Sequence, residues 1–299
     1  MNESGKTMTQ AVSPFVHAGA QVADDCYLGD FVVLYPGAIL GDACRVEGFT
    51  QVWPGVRLER GARLGPGVTL ERGIDGAPSE ILVGAGAHVG AGATVRWGVT
   101  IGAGAVVEAG TLVAQAVPPY AIVSGVPARI TGYVEKSLGA GGRLWHKQAE
   151  FPNSQAVVRL GVGDVTLHRT KMVRDPRGDL SVGEFPRDIP FDAKRYFLVF
   201  NVPSEKTRGE HAHHKCHQFL LCVKGSCAVV VDDGHDRCEV LLESPDMGIH
   251  LPPLTWGIQY KYSSDAVLLV FTSDYYEADD YIRDYTEFVE TVRRKEEQQ

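Results

Sequence analysis

From residue 16 to residue 70 an aliphatic side chain falls at every sixth position: Val16, Val22, Leu28, Leu34, Leu40, Val46, Val52, Leu58, Leu64 and Leu70. The count breaks once and resumes at Val83, Val89, Val95, Ile101, Val107 and Val113. Small or polar residues typically follow the aliphatic, as in HVGAGA and TIGAGA. Neither a helical period of about 3.6 nor simple strand alternation produces this pattern. A period of six is the mark of a β-helix, in which short flat strands stack coil on coil. One aliphatic per hexad points inward and small residues permit the corners. Sixteen hexads at three per coil make about five coils. The break, ERGIDGAPSEIL at 71–82, predicts a loop of about seven extra residues, and loops thrown out of a solenoid commonly carry function.

The repeat closes with VPPYAIVSGVPARITGYVEK, residues 117–136. This segment resembles the closing signature of the left-handed β-helix acyltransferases, with Val126 where that family usually has Asn. The resemblance implies a trimer with acyl-CoA lying along the last coils and acetyl-CoA as co-substrate. Ala109, Pro127 and Arg129 would then border the CoA, the Arg129 guanidinium suiting a phosphate. His88 precedes the inward Val89 and should point outward, which makes it a candidate base for deprotonating an amine. The alternatives are an ordinary exposed histidine and a solvated arginine. Relatives acting on amino sugars carry an Asn-Asp and a Pro-Arg pair in the loop between coils. Here that stretch reads ERGIDGAP, so acceptor contacts do not transfer residue by residue.

The hexads are lost in SLGAGGRLWHKQAEFPNSQ, and a linker is expected over 137–155 between a β-helix at 12–136 and a second domain at 156–290. That second domain reads as short strands: RYFLVFNV (195–202), FLLCVKGSCAVVVDDG (219–234) and AVLLVF (266–271). Turn signals stand at Lys224-Gly225 and Asp233-Gly234. An antiparallel sandwich of the jelly-roll type fits best. The chain is thus expected to be mainly β, a β-helix followed by a jelly roll, ending in a helix from YYEADDYIRDYTEFVETVRRKEEQQ.

RGEHAHHKCH, residues 208–217, holds four of the ten histidines. Strand geometry puts His211 and His213 on one face. The His-x-His pair followed by Gly225 resembles the first cupin motif, where metal-binding cupins use two histidines and an acid, with a fourth ligand from a second motif. His217 has the spacing of that acid, so the resemblance makes a three-histidine site formally possible. GIHLPPLTWGIQY (248–260), where a fourth ligand would belong, offers neither histidine nor carboxylate at that place, and no metal is expected. Proton transfer is the alternative, since histidine titrates near working pH.

Four segments in order, DPRGDL (175–180), RGEHAHHKCHQFLLCVKGS, LPPLTWGIQYKYS and YYEADDYIRDYTEF, resemble the cupin-type sugar-nucleotide 3,4-ketoisomerases. The whole chain resembles the bifunctional WxcM-type proteins of O-antigen and S-layer sugar biosynthesis. The resemblance implies isomerisation of a dTDP-4-keto-6-deoxyhexose to its 3-keto form. His211 and His213 would be base and partner, in an order left open. Arg177 and Arg208 would serve the diphosphate or the enolate charge, and Tyr196 a hydroxyl. A separate aminotransferase would act before the β-helix half acetylates the resulting amine. A homo-oligomer is implied, a trimer through the β-helix or a hexamer if the cupins also pair. An active isomerase carrying the β-helix only as a scaffold is the alternative.

Composition agrees. Hydrophobic residues at 44% and charged residues at 22% suit a soluble globular protein. A net charge of −8 argues against nucleic acid or anionic membrane as partners. MNESGKTMTQ lacks the apolar stretch of a signal peptide, so a cytoplasmic location is expected. Six cysteines without a C-x-x-C pair suggest reduced, buried thiols.

Overall fold

A computed structural model describes residues 13–134, 156–203 and 206–298. The expected linker at 137–155 lies outside the described residues. Two compact units divide after Val134, and nearly all of the regular structure is β.

The first unit is a β-solenoid. Sixteen two-residue strands run from Phe15–Val16 to Leu112–Val113, each ending on the aliphatic of its hexad. Strands pair in parallel with the third strand onward, as in Phe15 with Val33, Gln21 with Ile39 and Tyr27 with Arg45. Three strands therefore make one coil, and an offset of eighteen residues returns the chain to the same face. Across the interruption the partners become Arg57 with Leu82, Arg63 with His88 and Thr69 with Thr94, an offset of twenty-five. The excess of seven residues is the loop, which carries a short 3-10 turn at Ile74–Gly76. From Leu34 onward every hexad aliphatic is buried. Each removes a branched aliphatic side chain from water, worth about 1.5–3 kcal/mol.

Corners form three residues past the aliphatic, where the backbone has positive φ, as at Gly37, Gly55 and Gly61. Glycine adopts this conformation freely. Phe31 (φ 59) and Phe49 (φ 65) adopt it too, and their rings stack 4.8 Å apart on the outside. The last coil is closed by Ala121–Ser124, parallel to Val106–Val107 and antiparallel to Arg129–Tyr133.

The second unit is a sandwich of two antiparallel sheets, as expected of a cupin. One sheet has the order Val157–Arg159, Thr166–Arg169, Met247–Leu251, Gln218–Lys224, Val267–Thr272, Arg195–Phe200. The other runs Arg237–Leu242, Cys227–Asp232, Trp256–Tyr260, Arg208–His213, Tyr281–Ile282. Alternation explains the packing. Leu220 and Cys222 point between the sheets with Leu167, Val229, Val231 and Leu268. Phe219 and Leu221 point the other way, onto Ile189, with Phe191 and Phe271 beside them. The two turn signals differ in outcome. Asp233-Gly234 closes a hairpin between Cys227–Asp232 and Arg237–Leu242. Lys224-Gly225 carries the chain from one sheet to the other.

The terminal helix, Tyr285–Glu296, begins at Asp284, whose side chain accepts from Glu287 N at 2.9 Å. Tyr285 and Phe288 pack on Trp256, and the Tyr285 hydroxyl donates to Asp232 at 2.7 Å. No helix among the described residues is long and apolar enough to cross a membrane.

Candidate active site

A cavity of about 390 Å³ opens inside the sandwich. One sheet lines it with Phe197, Val199, Gln218, Leu220 and Val270, the other with Arg208, His211, Gln259 and Tyr281.

His211 and His213 reach one face of their strand, as alternation predicts, with ring centroids 5.0 Å apart. They get there through a bulge. The pairing with Trp256–Tyr260 shifts between Gly209 and His211, and Gly209 and Glu210 both have positive φ. Gly209 cannot be replaced without strain, because a Cβ there would lie 2.5 Å from the Gly257 carbonyl oxygen.

The two histidines are not equivalent. His211 lines the cavity and its ring interacts with the Gly209 backbone. Burial pushes its pKa down to about 4, with the Gly209 bond opposing and His213 and Arg283 adding to the fall. His213 is buried behind this wall with both nitrogens engaged. Nδ1 lies 2.8 Å from Asp280 Oδ2, and Nε2 lies 3.1 Å from Gln218 Nε2. Its pKa is also lowered, first by burial, while the Asp280 carboxylate pulls the other way. Tyr281 closes the group, its ring 4.9 Å from His211 and 4.3 Å from His213. Cations surround it: the Arg283 guanidinium sits 4.4 Å over Tyr281, and Arg195 donates to Thr272 Oγ1 at 3.3 Å.

His213, Cys216 and Asp280 also bring possible metal ligands within 4.8 Å of one another. Their chemistry is already committed. Burial raises the Cys216 thiol, both His213 nitrogens are hydrogen-bonded, and Asp280 Oδ1 accepts from Lys215 N at 2.8 Å. His217 does not join this set. Its ring lies on the outer face of the sheet, stacked on His250 with Nδ1 3.0 Å from His250 Nε2. His250 and His168 both approach Thr166 Oγ1, at 3.4 and 2.8 Å. The three-histidine metal arrangement allowed by spacing therefore does not form. Four residues outside the strand separate His213 from Gln218, strand parity is lost there, and Gln218 takes the inward place. Trp256 faces the helix and does not line the cavity.

The remaining candidates fall in different places. Arg208 lines the cavity. Arg177 stands on the turn of a separate two-stranded hairpin, Lys171–Val173 with Leu180–Val182. Its side chain is 89% exposed and doubly bonded to Asp175, at 2.8 and 3.1 Å. Tyr196 is exposed on an edge strand whose next four residues line the cavity. In the solenoid His88, Ala109, Pro127 and Arg129 are all exposed. Ala109 and Arg129 lie on the last coils, where Ala128 N donates to Leu112 O at 2.8 Å. Sequence reasoning passed over Gln218, Gln259, Asp280 and Tyr281. The last two lie in the quoted YYEADDYIRDYTEF motif, which was the available signal.

Residues 163–293 match the family described as FdtA: WxcM-like, C-terminal, and residues 80–115 match the hexapeptide repeat of succinyl-transferase. Over 124 residues the chain is 41% identical to the TDP-4-oxo-6-deoxy-alpha-D-glucose-3,4-oxoisomerase of Aneurinibacillus thermoaerophilus, covering 42% of this chain and 89% of that one. The chain belongs to the WxcM-like family. Among solved structures, a 3,4-ketoisomerase from Helicobacter canadensis is 34% identical, with a TM-score of 0.43 and coverage of 44% of this chain and 98% of that one. A mutant of the 3,4-ketoisomerase QdtA from Thermoanaerobacterium thermosaccharolyticum, in complex with TDP-4-keto-6-deoxyglucose, is 33% identical with a TM-score of 0.44, over 45% of this chain and 97% of that one. The WxcM-like region contains every residue lining the cavity, and the hexapeptide region contains His88 and Ala109.

Proposed function

We propose that the C-terminal unit is a sugar-nucleotide 3,4-ketoisomerase acting on dTDP-4-keto-6-deoxyglucose. The observation that carries this reading is His211, a neutral imidazole on a cavity wall, within a domain 41% identical to a 3,4-oxoisomerase. Moving the carbonyl from C4 to C3 needs no redox partner. His211 takes the proton from C3, the electron pair forms the C3–C4 double bond of an enediol, and the C4 oxygen gains a proton. Return of a proton to C4 and loss of the proton on the C3 oxygen leave a 3-keto sugar with the same atoms. A buried imidazole accepts a proton readily only while negative charge develops beside it. Arg208 on the wall and Arg195 and Arg283 nearby supply the matching positive field for the enolate oxygen and the diphosphate. No step calls for a metal, so exhaustive chelation should leave the rate unchanged. A stoichiometric metal on His211 or His213 would overturn this mechanism. NMR of the substrate with the full-length protein should show a 3-keto product, and recovery of unchanged substrate would end the assignment.

For the solenoid we propose N-acetylation, with acetyl-CoA, of a dTDP-3-amino-3,6-dideoxyhexose made by a separate aminotransferase. The amine nitrogen attacks the thioester carbonyl, the C–S bond breaks, and the ammonium proton leaves to a base. His88 suits that role, and Ala109, Pro127 and Arg129 suit the CoA. A homotrimer through the solenoid, or a hexamer if the cupins also pair, fits this assignment. Release of CoA thiol that depends on the amino sugar tests it. No release would favour the solenoid as scaffold alone.

A further inference from the structure

We infer that Gln218 turns its amide oxygen into the cavity to accept a hydrogen bond from a sugar hydroxyl, and that Asp280 sets this orientation through His213. The identity of the ligand as a sugar rests on the ketoisomerase reading; the orientation of the amide does not.

Asp280 is 7% exposed and comes from the 3-10 turn before Tyr281–Ile282. One carboxylate oxygen accepts from Lys215 N, the other lies 2.8 Å from His213 Nδ1. A carboxylate has only lone pairs to offer, so the hydrogen of that bond belongs to Nδ1. Burial disfavours a second proton on the ring, and His213 is therefore the Nδ1–H tautomer with Nε2 as acceptor. Gln218, also 7% exposed, places its amide nitrogen 3.1 Å from Nε2. An amide donates at one end and accepts at the other. With its NH2 given to His213, Gln218 has its Oε1 left for the cavity that the side chain lines, and no donor among the described residues bonds it.

An acceptor fixed in this way discriminates. It favours a hydroxyl over a carbonyl, and the enediol carries hydroxyls on both reacting carbons, so Oε1 can serve the intermediate as well as the substrate. Asp280 and His213 are positioning residues in this scheme, since neither lines the cavity, and Gln218 touches substrate.

The test inverts the chain. In Asp280→Asn the amide NH2 donates to Nδ1, His213 becomes the Nε2–H tautomer, and Gln218 must turn its oxygen to the ring and its NH2 to the cavity. Histidine 15N NMR of the full-length protein should report the tautomer change directly. Substrate KM should rise about tenfold or more, with kcat falling less, the loss of one neutral hydrogen bond and a mismatched group. The double variant Asp280→Asn with Gln218→Glu restores an oxygen to the cavity, because a carboxylate accepts from Nε2–H and keeps a second oxygen free. It should recover KM to within about threefold of the parent, which a merely structural role would not produce. An unchanged tautomer in folded Asp280→Asn, or no recovery in the double variant, overturns the inference. If the parent protein fails to turn over the sugar nucleotide, the ligand assignment falls with the ketoisomerase reading, while the tautomer measurement still decides the orientation.

Discussion

The solenoid and the cupin are both β, yet they leave their functional groups in opposite settings. A parallel rung of two residues turns one side chain inward and the other outward, which leaves His88 exposed, and Ala109, Pro127 and Arg129 are exposed beyond the rungs of the last coils. The cupin alternates along longer antiparallel strands and keeps a space between its sheets. Its two candidate histidines are largely shielded and displaced in pKa, and His213 is hydrogen-bonded to Asp280 and Gln218. The proposed base and the oriented amide both belong to the second unit. The first offers a regular surface on which a ligand can lie.

The sharpest way to break this contrast is His211→Asn. It removes the imidazole on the cavity wall and should lower the isomerisation rate about a thousandfold, within the range for losing a general base. Thiol release by the solenoid should be unaffected in the same sample. A His211→Asn enzyme with near-normal isomerisation would move the chemistry elsewhere.

Acid should separate the units next. His168, His211, His213, His217 and His250 all have lowered pKa values, with burial the leading cause, and all lie in the cupin. The unfolded chain protonates its histidines from about pH 6.5. The folded form resists until about pH 4 at His211 and His250. Stability is therefore complete above pH 6.5 and falls as pH drops toward 4, by about 3 kcal/mol for His250 alone. Thermal melts at stepped pH should show the cupin transition falling first, and a solenoid that melts earlier in acid would contradict the assignment.

How much of this was legible in the sequence follows the same division. The hexad spacing declared the solenoid because each rung repeats one local rule, and even the seven-residue excess could be counted. The placing of His211 and His213 on one face was legible because they share one strand. Gln218 and Asp280 were not, since their roles arise only when segments five and sixty-seven residues away meet the His213 ring. His217 was read against a metal-site spacing that assumes unbroken strand geometry. The turn after His213 sets its face instead, against His250.

Two smaller effects would sharpen the account. Arg129→Ala should raise the KM for acetyl-CoA several-fold, the scale of one exposed charge-assisted contact, and leave isomerisation alone. Arg177→Ala should change isomerisation kcat/KM less than about threefold, because its side chain is exposed and already paired with Asp175. A larger loss at Arg177 would show that its hairpin reaches substrate.

The most direct measurement is deuterium exchange at C3. The full-length protein is incubated with dTDP-4-keto-6-deoxyglucose in D2O and the C3 proton followed by NMR. The account predicts loss of that signal, with deuterium carried into the 3-keto product, and retention of the signal with His211→Asn. A C3 proton that survives prolonged incubation with the folded parent protein would contradict it.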